Sequence, residues 1–167
     1  MISFPHKKYM KNIKNRILFS LAFLVIILIV SCNASSGNAV TKTPAEVTTS
    51  NEINFIESDW NAALNKAKKE NKLVFLDISA SWCGPCKLLK RNTFTDPAVA
   101  EFFNTNFVNV AIDGEIGVGP ELANTYQIQG YPTLIVADAT GKSLLYTVGY
   151  IEPNDLLAFG KDALKKK

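Results

Sequence analysis

Two cysteines three residues apart, Cys83 and Cys86 in Ser81-Trp82-Cys83-Gly84-Pro85-Cys86-Lys87, are the residues of this chain best placed to do chemistry. A C-x-x-C at the start of a helix brings both sulfurs within bonding reach, so the pair can close into a disulfide and open again. The first sulfur then lies beside unpaired backbone N–H groups and the positive end of the helix dipole, which stabilise a thiolate. Cys83 is therefore expected to be the attacking nucleophile and Cys86, one turn further in, the resolving thiol. Pro85 suits the first helical turn, where its missing N–H costs nothing. The same spacing also makes half of a zinc site. Ligand supply argues against zinc: the only histidine, His6, lies in the basic N-terminal stretch, and the only other cysteine, Cys32, ends an apolar leader. Two thiolates alone do not close a four-ligand site. No metal is expected, and no cofactor beyond the Cys83–Cys86 disulfide.

The elements around the pair must hold it. Leu73-Val74-Phe75-Leu76-Asp77-Ile78 reads as a buried strand, followed by a turn-like Ser79-Ala80-Ser81. Asp77 interrupts that apolar run. A carboxylate inside a sheet is costly, so it either bonds local groups near water or is kept for a task. Further on, Gly130-Tyr131-Pro132-Thr133 leads into Leu134-Ile135-Val136, where the proline is at least a strand starter.

Trp82-Cys83-Gly84-Pro85-Cys86-Lys87 resembles the active site of the thioredoxin family. The resemblance implies that Asp77, six residues before Cys83, is the buried acid that takes the proton of Cys86 through water, with a pKa raised by desolvation. It implies a cis peptide bond before Pro132, beside the dithiol, and a Tyr131 backbone that pairs with the substrate chain. Trp82, Gly84, Pro85, Tyr131 and Pro132 are thus the expected substrate contacts. Trp82 would shield the rim, unless it is simply an exposed aromatic. Two positions depart from the family. Ser79 stands where a tryptophan is common, and Asn109 where a lysine reaches the buried acid. The segment Asn92-Thr93-Phe94-Thr95-Asp96-Pro97 is similar to a T-F-x-D-P element of the DsbD C-terminal-domain family and of related lipoprotein thioredoxins. The Gly84-Pro85 pair is instead thioredoxin's own.

The front of the chain reads differently. Lys7, Lys8, Lys11, Lys14 and Arg16 form a basic region before an apolar run over 17–30, which is shorter than the roughly 20 residues a membrane span wants. These are signal-peptide proportions. The run ends in Leu28-Ile29-Val30-Ser31-Cys32, which resembles a lipobox; Cys32 would be lipidated and become the mature N-terminus, with an uncleaved anchor or a buried thiol as the alternatives. The expected organisation is a signal peptide over 1–31, lipidated cysteine and tether over 32–52, and a folded domain over 53–167. The tether is rich in Ser, Thr, Asn and Ala and as a coil would span about 25 Å. Asn33, rather than aspartate, after Cys32 leans towards the outer over the inner membrane of a bacterial envelope.

Charge follows the same division. The chain carries 18 basic and 15 acidic residues, a net +3. Five of the basic residues and none of the acids lie in the leader, so the processed chain has 13 against 15, or −2. Nucleic-acid binding is not expected.

The remaining residues fit one domain. A helix capped by Ser58 is expected to run to about Asn71, then the Asp77 strand, the active-site helix, and a helix begun by Thr95 or Asp96 with Pro97 at its first position. A strand over 107–112, a short helix from Pro120, a hairpin of strands over 133–138 and 143–148, and a final helix from Pro153 complete the order. Parallel β-α-β followed by an antiparallel hairpin and helix is an α/β architecture, the thioredoxin fold, with a mixed sheet flanked by helices.

The function implied is a periplasm-facing, lipid-anchored thiol–disulfide oxidoreductase, acting as a monomer on disulfide-containing periplasmic proteins. Thioredoxin's own pair between the cysteines favours a reductant, because thioredoxin sits near −270 mV against about −120 mV for DsbA. A reductant in an oxidising compartment needs electrons, so a DsbD- or CcdA-like membrane donor is the expected partner. An oxidase or isomerase, a cytochrome c maturation reductase and a redox-inactive binding module of the same fold are the rival readings.

Overall fold

The computed structural model describes residues 51–167. The expected leader, the lipobox with Cys32, and the tether up to residue 50 lie outside the described residues.

Five strands form one mixed sheet: β1 (Phe55–Glu57), β2 (Leu73–Ser79), β3 (Phe107–Asp113), β4 (Thr133–Ala137) and β5 (Ser143–Val148). Their spatial order is β1-β3-β2-β4-β5. β1 and β2 both run parallel to β3, while β4 pairs antiparallel with β2 and β5 antiparallel with β4. The helices are α1 (Trp60–Glu70), α2 (Gly84–Leu88), α3 (Pro97–Asn106), α4 (Gly119–Thr125) and α5 (Pro153–Leu164). A π-helical turn over Leu89–Thr93 continues α2.

The central strands are buried because both faces of the sheet are covered. On one face Leu73 and Phe75 of β2 pack with Leu89, Phe94, Val99, Phe103, Leu156 and Ala163. On the other, Val74, Leu76 and Ile78 meet Ala63 and Ala67 of α1 and Leu122 of α4. Adjacent residues of β2 thus serve opposite cores, as the two-residue period of a strand requires. That is why the run 73–78 is apolar almost throughout.

The helix starts are set by caps. Asp96 accepts from the N–H groups of Ala98 and Val99 at 2.9 and 3.0 Å, with Pro97 in the first turn of α3. α1 differs from expectation: its cap is Asp59, whose Oδ1 accepts from Ala62 N at 2.8 Å. Ser58 cannot fill that role because it adopts a φ of 57° and sends its N–H to Ala111 O at 2.9 Å, extending the β1 pairing.

Candidate active site

Cys83 is the N-cap of α2, and the chain reaches it directly from the C-terminal end of β2. The two sulfurs are bonded at 1.99 Å with the Cα atoms 5.3 Å apart. The N–H of Cys86 also donates to Sγ of Cys83 at 3.1 Å. This is the backbone donor that a helix N-terminus offers to charge on the first sulfur. Both cysteines are buried, in a small cluster with Ala80 and Tyr131. Gly84 leaves the approach open, since nothing lies within 4 Å of where its Cβ would stand.

Tyr131 and Trp82 frame the disulfide. The Tyr131–Pro132 peptide bond is cis, as the resemblance implied. The two rings meet edge to face with centroids 6.0 Å apart. The Tyr131 ring lies over Gly114, where a Cβ would come within 2.5 Å of its hydroxyl, so glycine there makes room for the ring. Trp82 is 66% exposed, yet it is held in place: its Nε1–H donates to Glu115 Oε2 at 3.0 Å. Glu115 was not legible as a site residue, because its loop lies 33 residues away in sequence. Burial raises the pKa of the Tyr131 hydroxyl, and the nearby acids Glu115 and Asp113 add to the effect.

Asp77 lies within β2, 1% exposed, on the face that also carries Phe75. Leu89 packs in the same cluster as Phe75. α2 returns antiparallel to the strand it follows, as in any parallel crossover. Cys86 lies one turn before Leu89 and, like it, is buried. Neither carboxylate oxygen has a hydrogen-bond partner among the described residues by distance and angle. Burial pushes its pKa up to about 7; the Lys90 charge and the Ser79 hydroxyl oppose the rise, and Glu57 adds to it.

Asn109, where the family places a lysine, shares this face as the register partner of Phe75. Its Nδ2 donates instead to Asn104 Oδ1 at 3.1 Å and Asn54 O at 3.4 Å, fastening the segment before β1 to α3. It therefore spends its donors on the scaffold. No group of three or more His, Cys, Asp and Glu that could hold a metal occurs among the described residues.

Residues 60–164 match the thioredoxin-like domain family. The chain belongs to that family. Among solved structures, this thioredoxin-like domain is similar to a candidate disulphide-isomerase from Bacteroides thetaiotaomicron, at 38% identity and a TM-score of 0.62, over 70% of this chain and 96% of the other. It is 31% identical to Thioredoxin H2 of Arabidopsis thaliana over 79% of this chain and 88% of the relative. The thiol:disulfide interchange protein DsbD of Actinobacillus pleuropneumoniae is 33% identical over 53% of this chain, but that match spans only 16% of DsbD. The fold is the thioredoxin fold, and the family is one of thiol–disulfide oxidoreductases.

Proposed function

We propose that this protein is a lipid-anchored, periplasm-facing thiol–disulfide oxidoreductase that reduces protein disulfides through Cys83 and Cys86. One observation carries the reading: the two sulfurs lie at bonding distance at a helix N-terminus, with a backbone donor on Cys83 and a buried acid, Asp77, in the strand that leads to them. The Cys83 thiolate attacks a substrate disulfide and forms a mixed disulfide. Cys86 then attacks Cys83 Sγ, closing the intramolecular bond and releasing the substrate as a thiol. Two electrons pass from the dithiol to the substrate. Asp77 takes the Cys86 proton. Trp82, Gly84, Pro85, Tyr131 and Pro132 form the surface against which the substrate chain lies.

The reduced dithiol has to be regenerated. The partial similarity to DsbD supports a membrane donor of DsbD or CcdA type, reached by a domain held to the membrane through Cys32. A second reading, disulfide isomerase, is favoured by the Bacteroides likeness, which covers nearly all of that protein. The two share every residue named here and differ in potential.

Trapping tests the chemistry. A Cys86→Ser variant should accumulate a mixed disulfide with a disulfide-bonded protein such as insulin, through Cys83, whereas Cys83→Ser should accumulate none. Equal trapping by both variants would contradict the assigned roles. No trapping by either would leave a redox-inactive binding module as the better reading.

A further inference from the structure

The position from which the family's lysine reaches the buried acid holds Asn109 here, and that side chain is engaged elsewhere. Charge reaches Asp77 from other elements. Glu57, Ala111 and Asp77 form one row across β1, β3 and β2: Glu57 is in register with Ala111, and Ala111 with Asp77. Register partners in parallel strands project to the same face, so the two carboxylates flank a methyl group about two strand spacings, roughly 10 Å, apart. Because Ala111 fills so little space, a cleft of about 230 Å³ opens above it, lined by Glu57, Ser79, Ala111, Asp113 and Lys90 among others. A second cavity meets it at Glu57, Lys90 and Ala111. The cleft thus reaches Ser79 and Ala111, the strand and cross-strand neighbours of a carboxylate whose oxygens are both unpaired.

We propose that Lys90 and Glu57, which both line this cleft, are positioning residues for the dithiol, setting how much of Asp77 carries a charge and hence how readily it accepts the Cys86 proton. The π-helical turn makes this possible, since Lys90 lies within it, directly after α2, and lines the cleft. The electrostatics agree: Lys90 holds the Asp77 pKa down and Glu57 pushes it up. The other elements around Asp77 offer no substitute. β4 places Leu134 opposite it, β2 adds the uncharged Ser79, and α2 brings the two cysteines. Asp113 at the end of β3 lines the cleft, but its Oδ1 accepts from Glu115 N at 2.9 Å.

The step served is a proton transfer followed by thiol–disulfide exchange. Asp77 carboxylate takes the proton of Cys86, the new thiolate bonds to Cys83 Sγ, and the substrate sulfur leaves with the electron pair of the broken bond. This inference rests on the reading of Cys83–Cys86 as the redox centre. Both rim residues are exposed, so neutral variants retain the fold.

The experiment is a carboxyl ¹³C NMR titration of Asp77 in the full-length oxidised chain in detergent, together with the pH profile of insulin reduction. Lys90→Met should raise the Asp77 midpoint and Glu57→Gln should lower it, each by roughly half to one pH unit for a charge about 10 Å away. The pH profile of reduction should move with the midpoint, and neither variant should move it in an Asp77→Asn background. Unmoved midpoints, shifts of the same sign, or shifts of the profile that persist without Asp77 would overturn the inference. A wild-type chain that reduces no disulfide at any pH would sink the functional reading; an active chain with an unmoved Asp77 would sink only this inference.

Discussion

Asp77 carries a cost that pH makes measurable. Its ordinary value of 3.8 rises to about 7 in the fold because burial disfavours the charged form. Between those values the folded chain keeps a proton that the unfolded chain releases. Stability therefore falls as pH rises from about 4 to about 7 and levels off above that window, where both states are ionised. Three pKa units correspond to roughly 4 kcal/mol, an order-of-magnitude ceiling. An Asp77→Asn variant should lose most of this slope and be more stable than the wild type at pH 8, less whatever its unpaired amide costs. Urea unfolding midpoints at pH 5 and pH 8 check this; a wild-type midpoint as high at pH 8 as at pH 5 would contradict the assigned burial effect. The same variant should slow the Cys86 step. At this scale the sequence was most legible where one residue type is costly in its place: a carboxylate in an apolar strand, or two cysteines in a turn of helix. Lys90, Glu57 and Glu115 gave no such signal, because charged residues on exposed positions are ordinary and only the folded chain brings a π-helical turn, β1 and a distant loop together.

The elements that present the dithiol are held by short-range devices that substitution can weigh. Asp96 satisfies two N–H groups at the start of α3, so Asp96→Ala should cost about 1 kcal/mol and at most about 2. Gly160 on α5 permits a close approach: a Cβ there would lie 2.7 Å from Phe102 and 2.9 Å from Phe103. Gly160→Ala, which in an exposed helix would add stability, should instead destabilise by about 1–3 kcal/mol, read from the thermal midpoint. A stabilised variant would show that the α3–α5 contact yields without strain. Both devices bear on function, since Phe103 and Leu89 share the core that seats the active-site helix over β2. Most helices and strands could be read from apolar period and caps: Asp96-Pro97 at α3, Pro153 at α5, and the hairpin of β4 and β5. Three features could not. β1 is only three residues long, too short for a period, and exists through its pairing with β3. The π-helical turn follows α2 without a change in composition. The start of α1 moved from Ser58 to Asp59 because both residues are good caps, and the choice depends on where β1 releases the chain.

At the scale of the whole molecule, the proposed function requires a thioredoxin-like domain joined to a membrane through Cys32. Cys32→Ala should abolish labelling by a fatty-acid precursor and move the protein from the membrane to a soluble fraction; unchanged fractionation with no label incorporated in the wild type would favour an uncleaved anchor. If the anchor serves delivery of electrons, strains lacking their membrane dithiol carriers should accumulate the oxidised Cys83–Cys86 pair, visible by thiol alkylation of acid-quenched cells. The pair itself decides the direction in which the protein works. The reduction potential of Cys83–Cys86 in the full-length chain, equilibrated against glutathione and thioredoxin couples, measures it directly. A reductant dependent on a donor should give a value near −270 mV or lower; a value of about −120 to −180 mV would reverse the direction and make the protein an oxidase or isomerase.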